Sequence, residues 1–322
     1  MPYSIEARDL TRTYSFGRSF GHLRNDQQVV ALDRISFQAG AAEITGFLGP
    51  NGAGKTTLVK VIATILTPTS GSVSVLGYDV TKDARSIARR TGIVIGGERG
   101  FYEKLTAEQN LRYWAAVYGV PRRIRSARVH ETLDRVGLGG HRRTGFERMS
   151  RGMKQRLHLA RGLINDPELI ILDEPTSGLD PVAAHEYRAL LAGLRDESRT
   201  VILTTHDMAE AEALCDRVAL IDHGKILAFE HPRRLGSLFA SFEQVDAQGV
   251  RPELVGEIGA RDGVGQIERM DDGWIKIPTT APGAAQAVLK LLVDDGVTAL
   301  RTCQPSLEEI YLHVIGQRGL RV

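Results

Sequence analysis

Apolar residues in this chain come in short runs bounded by glycine or charge. These runs alternate with longer segments whose apolar positions recur at helical spacing. Ile44-Thr45-Gly46-Phe47-Leu48 leads into a glycine loop, and an apolar helical stretch at 58–66 follows that loop. Farther on, Gly92-Ile93-Val94-Ile95, Leu169-Ile170-Ile171-Leu172 and Val201-Ile202-Leu203 are continuously apolar. Unbroken runs of this kind predict parallel strands buried on both faces. Segments 218–222 and 225–229 complete that sheet, and 232–238 is a short helix. Residues before 49 hold β-type segments such as Ile35-Ser36-Phe37, interrupted by a polar stretch at 15–28. That stretch is longer than the usual hairpin connection and predicts a surface insertion. About 98–148 reads as helical, broken by Gly119-Val120-Pro121. Near 240 the character changes: Pro, Gly and acids become frequent. Trp274-Ile275-Lys276-Ile277 alternates as a strand does, with a helix at 284–293, a strand at 297–303 and a helix at 306–314. A compact α+β module is expected there.

The chemistry begins in the glycine loop. Gly49-Pro50-Asn51-Gly52-Ala53-Gly54-Lys55-Thr56-Thr57 fits the P-loop spacing G-x-x-x-x-G-K-[ST], between a strand and a helix as that motif requires. Glycines let the backbone turn its N–H groups inward without Cβ clashes, and the helix N-terminus adds partial positive charge and free donors. Gly49, Asn51, Gly52, Ala53 and Gly54 form the expected phosphate cradle. Lys55 is expected to reach the β- and γ-phosphates, Thr56 to offer its hydroxyl to Mg²⁺ and Thr57 to contact phosphate. The run Glu168–Glu174 ends in two carboxylates at the C-terminal end of a predicted parallel strand, where open α/β sheets bind ligands. Adjacent strand residues face opposite ways, so the two acids should do different work. Asp173 is assigned to the magnesium shell through water, and Glu174 to polarising an attacking water beside the γ-phosphate.

Met149-Ser150-Arg151-Gly152-Met153-Lys154-Gln155-Arg156 opens an amphipathic helix running to about Ile164. Ser150 is a good N-cap in any case, but serine and glycine at a helix mouth also make an anion site. If both helices dock on one sheet, this mouth cannot reach the chain's own P-loop, so a second subunit must complete it.

This segment resembles the signature motif of ABC transporter ATPases, with Met149 in place of the usual Leu and Arg151 in place of the first Gly. The resemblance orders further segments. Ser177-Gly178-Leu179-Asp180 resembles the D-loop, which crosses the dimer interface at Asp180. Thr204-Thr205-His206-Asp207 resembles the switch-histidine loop, which implies that His206 contacts the γ-phosphate and holds Glu174 and the water. Tyr14 resembles the aromatic that stacks on adenine, and Ser150, Gly152 and Met153 the partner's γ-phosphate contacts. The Q-loop departs from the family pattern. Gly96 or Gly97 stands at its glutamine position, and Glu98 is the nearest side chain able to serve magnesium or water.

The resemblance implies an α/β fold: a P-loop ABC ATPase domain over 1–238, with a RecA-like core, an antiparallel β subdomain and a helical subdomain at about 98–148. A C-terminal accessory domain of α+β type over 239–322 follows. The stretches Gly96-Gly97-Glu98-Arg99-Gly100-Phe101-Tyr102, Ser150–Arg156 and Pro305-Ser306-Leu307-Glu308-Glu309-Ile310-Tyr311-Leu312 look like those of daunorubicin-resistance-type exporter ATPases. Such members use ATP and Mg²⁺, dimerise around two nucleotides and pair with a separate transmembrane permease, which makes most of the cargo contacts. A place on the cytoplasmic face of the membrane is expected. Rival readings are a soluble ABC-type ATPase without a membrane partner, or an importer ATPase. One P-loop and no heptad coiled coil count against the first.

Bulk composition refines this picture. With 41 basic and 39 acidic residues the net charge is +2, which makes no electrostatic case for nucleic acid. Cys215 and Cys303 make no disulfide framework, in keeping with a reducing compartment. No run approaches the roughly 20 apolar residues of a membrane span, so spans are expected from another polypeptide. Arg122, Arg123, Arg125, Arg128, Arg142 and Arg143 form a basic cluster. It reads as a solvated helix face, or alternatively as a surface drawn to anionic lipid.

Overall fold

The computed structural model describes residues 3–16, 27–95, 100–232, 234–235, 244–303, 307 and 311. The first elements are β1 (Tyr3–Phe16), β2 (Gln27–Gly40), β3 (Ile44–Leu48), α1 (Lys55–Ile62), β4 (Ser70–Val75), β5 (Tyr78–Asp79), α2 (Ala84–Arg90) and β6 (Thr91–Ile95). Next come α3 (Ala107–Val117), α4 (Arg122–Arg135), α5 (Arg151–Leu163), β7 (Leu169–Asp173), α6 (Pro181–Asp196), β8 (Thr200–Thr205), α7 (Met208–Leu214), β9 (Arg217–Asp222) and β10 (Lys225–Glu230). The chain ends with β11 (Gln244–Gln248), α8 (Pro252–Gly259), β12 (Glu268–Arg269), β13 (Trp274–Pro278), α9 (Ala284–Asp294) and β14 (Leu300–Cys303).

Among the described residues the larger unit holds two sheets. The first has strand order β2-β1-β4-β5 and is antiparallel; the second has order β10-β9-β3-β8-β7-β6. The pairs β3–β8, β3–β9, β6–β7 and β7–β8 are parallel. All residues of β3, β7 and β8 are buried, which is why these strands carry unbroken apolar runs rather than alternation. One core joins both sheets to α1: Phe37 meets Phe47 edge-on at 5.0 Å, with Leu58, Ile62, Ile171 and Ile202 in the same cluster. Each such fully buried side chain contributes about 1.5–3 kcal/mol. The consequence for function is positional. The C-terminal ends of β3, β7 and β8 lie side by side, so the loops that follow them share one edge.

Two features differ from the sequence expectation. Helix α1 ends at Ile62 rather than 66. Thr64 takes φ 60°, and the N–H groups of Ile65 and Leu66 both donate to Lys60 O, at 2.8 and 3.0 Å. This reversal closes the helix before Thr67-Pro68 and sends the chain toward β4. The arginine cluster is partly engaged within the chain. Arg128 lies 3.5 Å from Asp166, Arg142 lies 2.6 Å from Asp134, and Arg125 donates to Val120 O.

The chain divides into two compact units after Phe229; the junction expected at 238–239 lies outside the described residues, as do most of the helices expected at 232–238 and 306–314. Within the second unit the sheet order is β12-β13-β11-β14, with Val245, Ile258, Ile277, Val288 and Leu292 in its core. The expected strand at 297–303 is shorter, Leu300–Cys303, and β11 and α8 are present in addition to the elements expected there.

Candidate functional site

The glycine loop lies between a strand and a helix, as its spacing predicts. Strand β3 ends at Leu48, the loop spans Gly49 to Gly54, and α1 begins at Lys55. Gly54 adopts φ 105°, and a Cβ there would stand 2.4 Å from Ala31 O. A Cβ on Gly49 would stand 2.1 Å from Ile221 O. Both positions therefore exclude any side chain. The Gly54→Ala variant is expected to lose about 1–3 kcal/mol of stability and to open the loop; urea unfolding alongside nucleotide titration checks this, and an unchanged midpoint would contradict it.

Lys55 is 4% exposed and folds back onto its own loop, donating to Gly49 O at 2.6 Å and Pro50 O at 3.0 Å. Burial lowers its pKa, while the carboxylates of Glu174 and Asp173 pull it up. The loop carbonyls and Glu174, 3.7 Å away, thus satisfy the ammonium in the free protein. Phosphate oxygens are a suitable replacement.

Strand β7 ends at Asp173, and Glu174 begins the loop that follows, so the left-handed turn at Glu174 rather than strand alternation sets where the second acid lies. Asp173 is buried and accepts from the Thr56 hydroxyl at 3.1 and 3.3 Å and from the Thr204 hydroxyl. Glu174 points the other way, with one carboxylate oxygen 3.7 Å from Lys55 Nζ and the other 3.4 Å from His206 Nδ1. Its backbone is left-handed at φ 50°, held by an N–H that donates to Thr204 O at 3.0 Å. Such a conformation in a non-glycine residue costs energy and is characteristic of functional sites. Thr204 was missed as a site residue. The parallel register aligns it with Asp173, and only the sheet makes that pairing visible.

Tyr14 stands at the rim of the cradle. Its hydroxyl is 3.4 Å from Thr57 Oγ1, and the Arg12 guanidinium lies over its ring at 5.0 Å. Asn51 and Gly52 are exposed, whereas Ala53 is buried. Ser150 caps α5, accepting from Met153 N at 3.2 Å. Gly152 sits beside Ala183, and Arg151 donates to Ser177 O at 3.2 Å. Asp180 caps α6, accepting from Ala183 N at 2.9 Å. These residues gather around the Ser177–Asp180 segment, and none of the described contacts joins Ser150, Gly152 or Met153 to the P-loop. Glu98, Gly96 and Gly97 lie outside the described residues. A cleft of about 360 Å³ opens next to Glu174 and His206, lined also by Thr176, Ser177, Thr205 and Arg188.

The donor set suits a hard divalent cation. Among the described residues no three His, Cys, Asp or Glu side chains are arranged to hold a metal by themselves. Asp173 and Thr56 offer a carboxylate and a hydroxyl at one point, and magnesium keeps most of its remaining ligands as water and phosphate.

A P-loop between a parallel strand and a helix, with an acid pair on a neighbouring strand and a histidine facing the second acid, defines a P-loop nucleoside-triphosphatase. The chain belongs to the ABC transporter ATP-binding proteins: residues 32–177 match the ABC transporter family. It is 33% identical over 318 residues to the bacitracin transport ATP-binding protein BcrA of Bacillus licheniformis, covering 97% of each chain. It is also 33% identical over 297 residues to the daunorubicin resistance ATP-binding protein DrrA3 of Streptomyces coeruleorubidus, covering 89% of this chain and 91% of that one. The fold superposes on the dimeric bacterial ABC transporter cassette MJ0796 with a TM-score of 0.61 and 25% identity, over 70% of this chain and 98% of that one. The protein is an ATP-binding and ATP-hydrolysing subunit, related to several drug- and antibiotic-resistance ATPases and no nearer to the daunorubicin type than to the bacitracin type.

Proposed function

We propose that this chain hydrolyses ATP to drive a separate membrane subunit that exports a hydrophobic compound such as a drug or antibiotic, or a lipid or polysaccharide. The observation that carries the reading is the convergence at the end of β7: Lys55 in its cradle, Thr56 on Asp173, and Glu174 between Lys55 and His206. Export of such a cargo is supported by relatives named for bacitracin transport and daunorubicin resistance.

In this reading the loop N–H groups and Lys55 hold the β- and γ-phosphates, Thr57 adds a phosphate contact and Tyr14 takes the adenine. Thr56 and Asp173 would hold Mg²⁺, Asp173 through water, and the ion would supply positive charge beside the phosphates. Glu174 accepts the proton of the attacking water. His206 orients Glu174 and contacts the γ-phosphate. Ser150, Gly152 and Met153 receive the nucleotide of a second copy, Asp180 crosses the interface, and Glu98 remains a candidate magnesium or water ligand. Retention of Glu174, His206, Ser150 and Gly152 in one chain favours a homodimer with two equivalent sites. ATP closes that dimer by binding the closed state better than the open one, and hydrolysis resets it.

The helical subdomain at about 98–148 is the proposed dock for the membrane subunit. Tyr102, Tyr113, Val117, Tyr118 and Ile124 are all exposed there, and exposed apolar residues grouped on one surface are a mark of interaction sites. No described helix is long and apolar enough to cross a membrane. The protein would lie peripherally on the cytoplasmic face, with the ATPase over 1–238 and an accessory domain over 239–322.

The test is affinity purification of tagged Glu174→Gln protein from its native cells, in mild detergent with ATP. A stoichiometric partner with membrane spans is expected. A soluble partner or ribosomes would overturn the transporter reading, and a co-purifying solute-binding protein would favour import.

A further inference from the structure

Asp207 caps α7, accepting from Glu210 N at 3.0 Å. A glutamate three positions after an N-cap ordinarily reaches back to the cap's own backbone N–H, but here the Asp207 N–H donates to Thr205 Oγ1. Glu210 is instead 0% exposed. Its carboxyl lies against the hydroxyls of Thr205 and Thr176 without closing an ordinary hydrogen bond to either. A carboxyl buried in this way costs stability that an apolar side chain of similar size would not.

The placement gives that cost a purpose. Thr205 precedes His206, and its Oγ1 already accepts from Asp207 N at 2.9 Å, leaving its proton free to donate. Thr176 lies two residues after Glu174, at the start of the Ser177–Asp180 segment. Both threonines line the cleft beside Glu174 and His206. The Glu210 carboxyl therefore sits beneath the two loops that carry the water-handling pair, within reach of a side chain from each.

We propose that Glu210 is a positioning residue for ATP hydrolysis, linking Thr205 of the switch loop to Thr176 and thereby setting the separation of His206 and Glu174. This rests on the reading that Glu174 and His206 handle the attacking water. Burial raises the Glu210 pKa and Asp207 raises it further, while Thr205, Thr176 and Arg188 oppose. From α6, Tyr187 also faces the carboxyl, and Cys215 faces it from the end of α7. The carboxyl oxygens can accept from both hydroxyls and so bridge them, and when protonated the acid can donate as well.

The test compares wild-type, Glu210→Gln and Glu210→Ala full-length proteins. Glu210→Ala is expected to lower kcat roughly tenfold or more, since small misplacements of reacting groups carry losses of that order, with ATP affinity unchanged. Glu210→Gln, whose amide also accepts and donates, should restore kcat. Stability offers a second readout. The folded pKa lies above the unfolded one, so the acid's contribution is full below the unfolded value and fades as pH rises through the folded value. Melting temperature should show that loss in the wild type and not in Glu210→Gln. Wild-type kcat in Glu210→Ala, or failure of Glu210→Gln to rescue, would overturn the proposal. The underlying reading fails separately, if Glu174→Gln hydrolyses ATP at the wild-type rate.

Discussion

Glu174→Gln protein should bind ATP and fail to hydrolyse it, with phosphate release reduced by about 10²–10⁴-fold, the range supplied by a positioned general base. The amide keeps the side chain's length and can still meet His206, 3.4 Å away in the native protein, so geometry persists while basicity is lost. One further effect follows from the charges. Lys55 loses its Glu174 counter-charge, leaving burial to depress its pKa with only Asp173 opposing. The phosphates of ATP supply the missing negative charge, so nucleotide should stabilise the variant more than it does the wild type. If the dimer closes around ATP, the variant should accumulate as a dimer in ATP and return to monomer when ATP is removed. Phosphate release and size-exclusion chromatography measure the two consequences. Hydrolysis at the wild-type rate would remove Glu174 from its role.

Loss of nucleotide affinity is the expected result for Lys55→Ala. A hydrogen bond to a charged group contributes about 1.5–3 kcal/mol, which corresponds to roughly 10–150-fold in Kd. The lower part of that range is favoured, because the free protein must first release Lys55 from Gly49 O and Pro50 O. Fold stability should change much less than affinity, since the buried ammonium carries a desolvation cost of its own. Titration with a fluorescent nucleotide, alongside a melting curve without nucleotide, separates the two effects. Unchanged affinity would contradict the cradle reading.

Local chemistry was the legible part. The P-loop spacing, the apolar run ending in Asp173-Glu174 and the Ser150 cap each depend on residues close in sequence, and each appears where its pattern places it. The different partners of Asp173 and Glu174 were expected from strand alternation, but Glu174 lies beyond the strand and owes its place to a left-handed turn. Less legible were elements defined by what they pack against. Strand β11 and helix α8 are short, and their apolar residues Val245 and Ile258 find their places only in the second unit's core. The early end of α1 depends on Thr64 entering the left-handed region, a conformation that no threonine advertises in sequence.

By itself, then, the order of residues determined the glycine loop between strand and helix, the buried strand that ends at Asp173 and the helix caps, because backbone turns and capping act over a few residues and a continuous apolar run buries both faces of a strand. Tertiary structure alone decided which distant side chains meet. Thr204 reaches Asp173 because parallel strands β7 and β8 stand in that register. His206 comes within 3.4 Å of Glu174 because the two loops leave the same edge of the sheet. Glu210 shows the division most sharply. In sequence it is an ordinary first-turn glutamate of a capped helix. In the fold it is a carboxyl sealed from water beneath two loops, because packing of the helix against its neighbours, and not the helix itself, decides which face is buried.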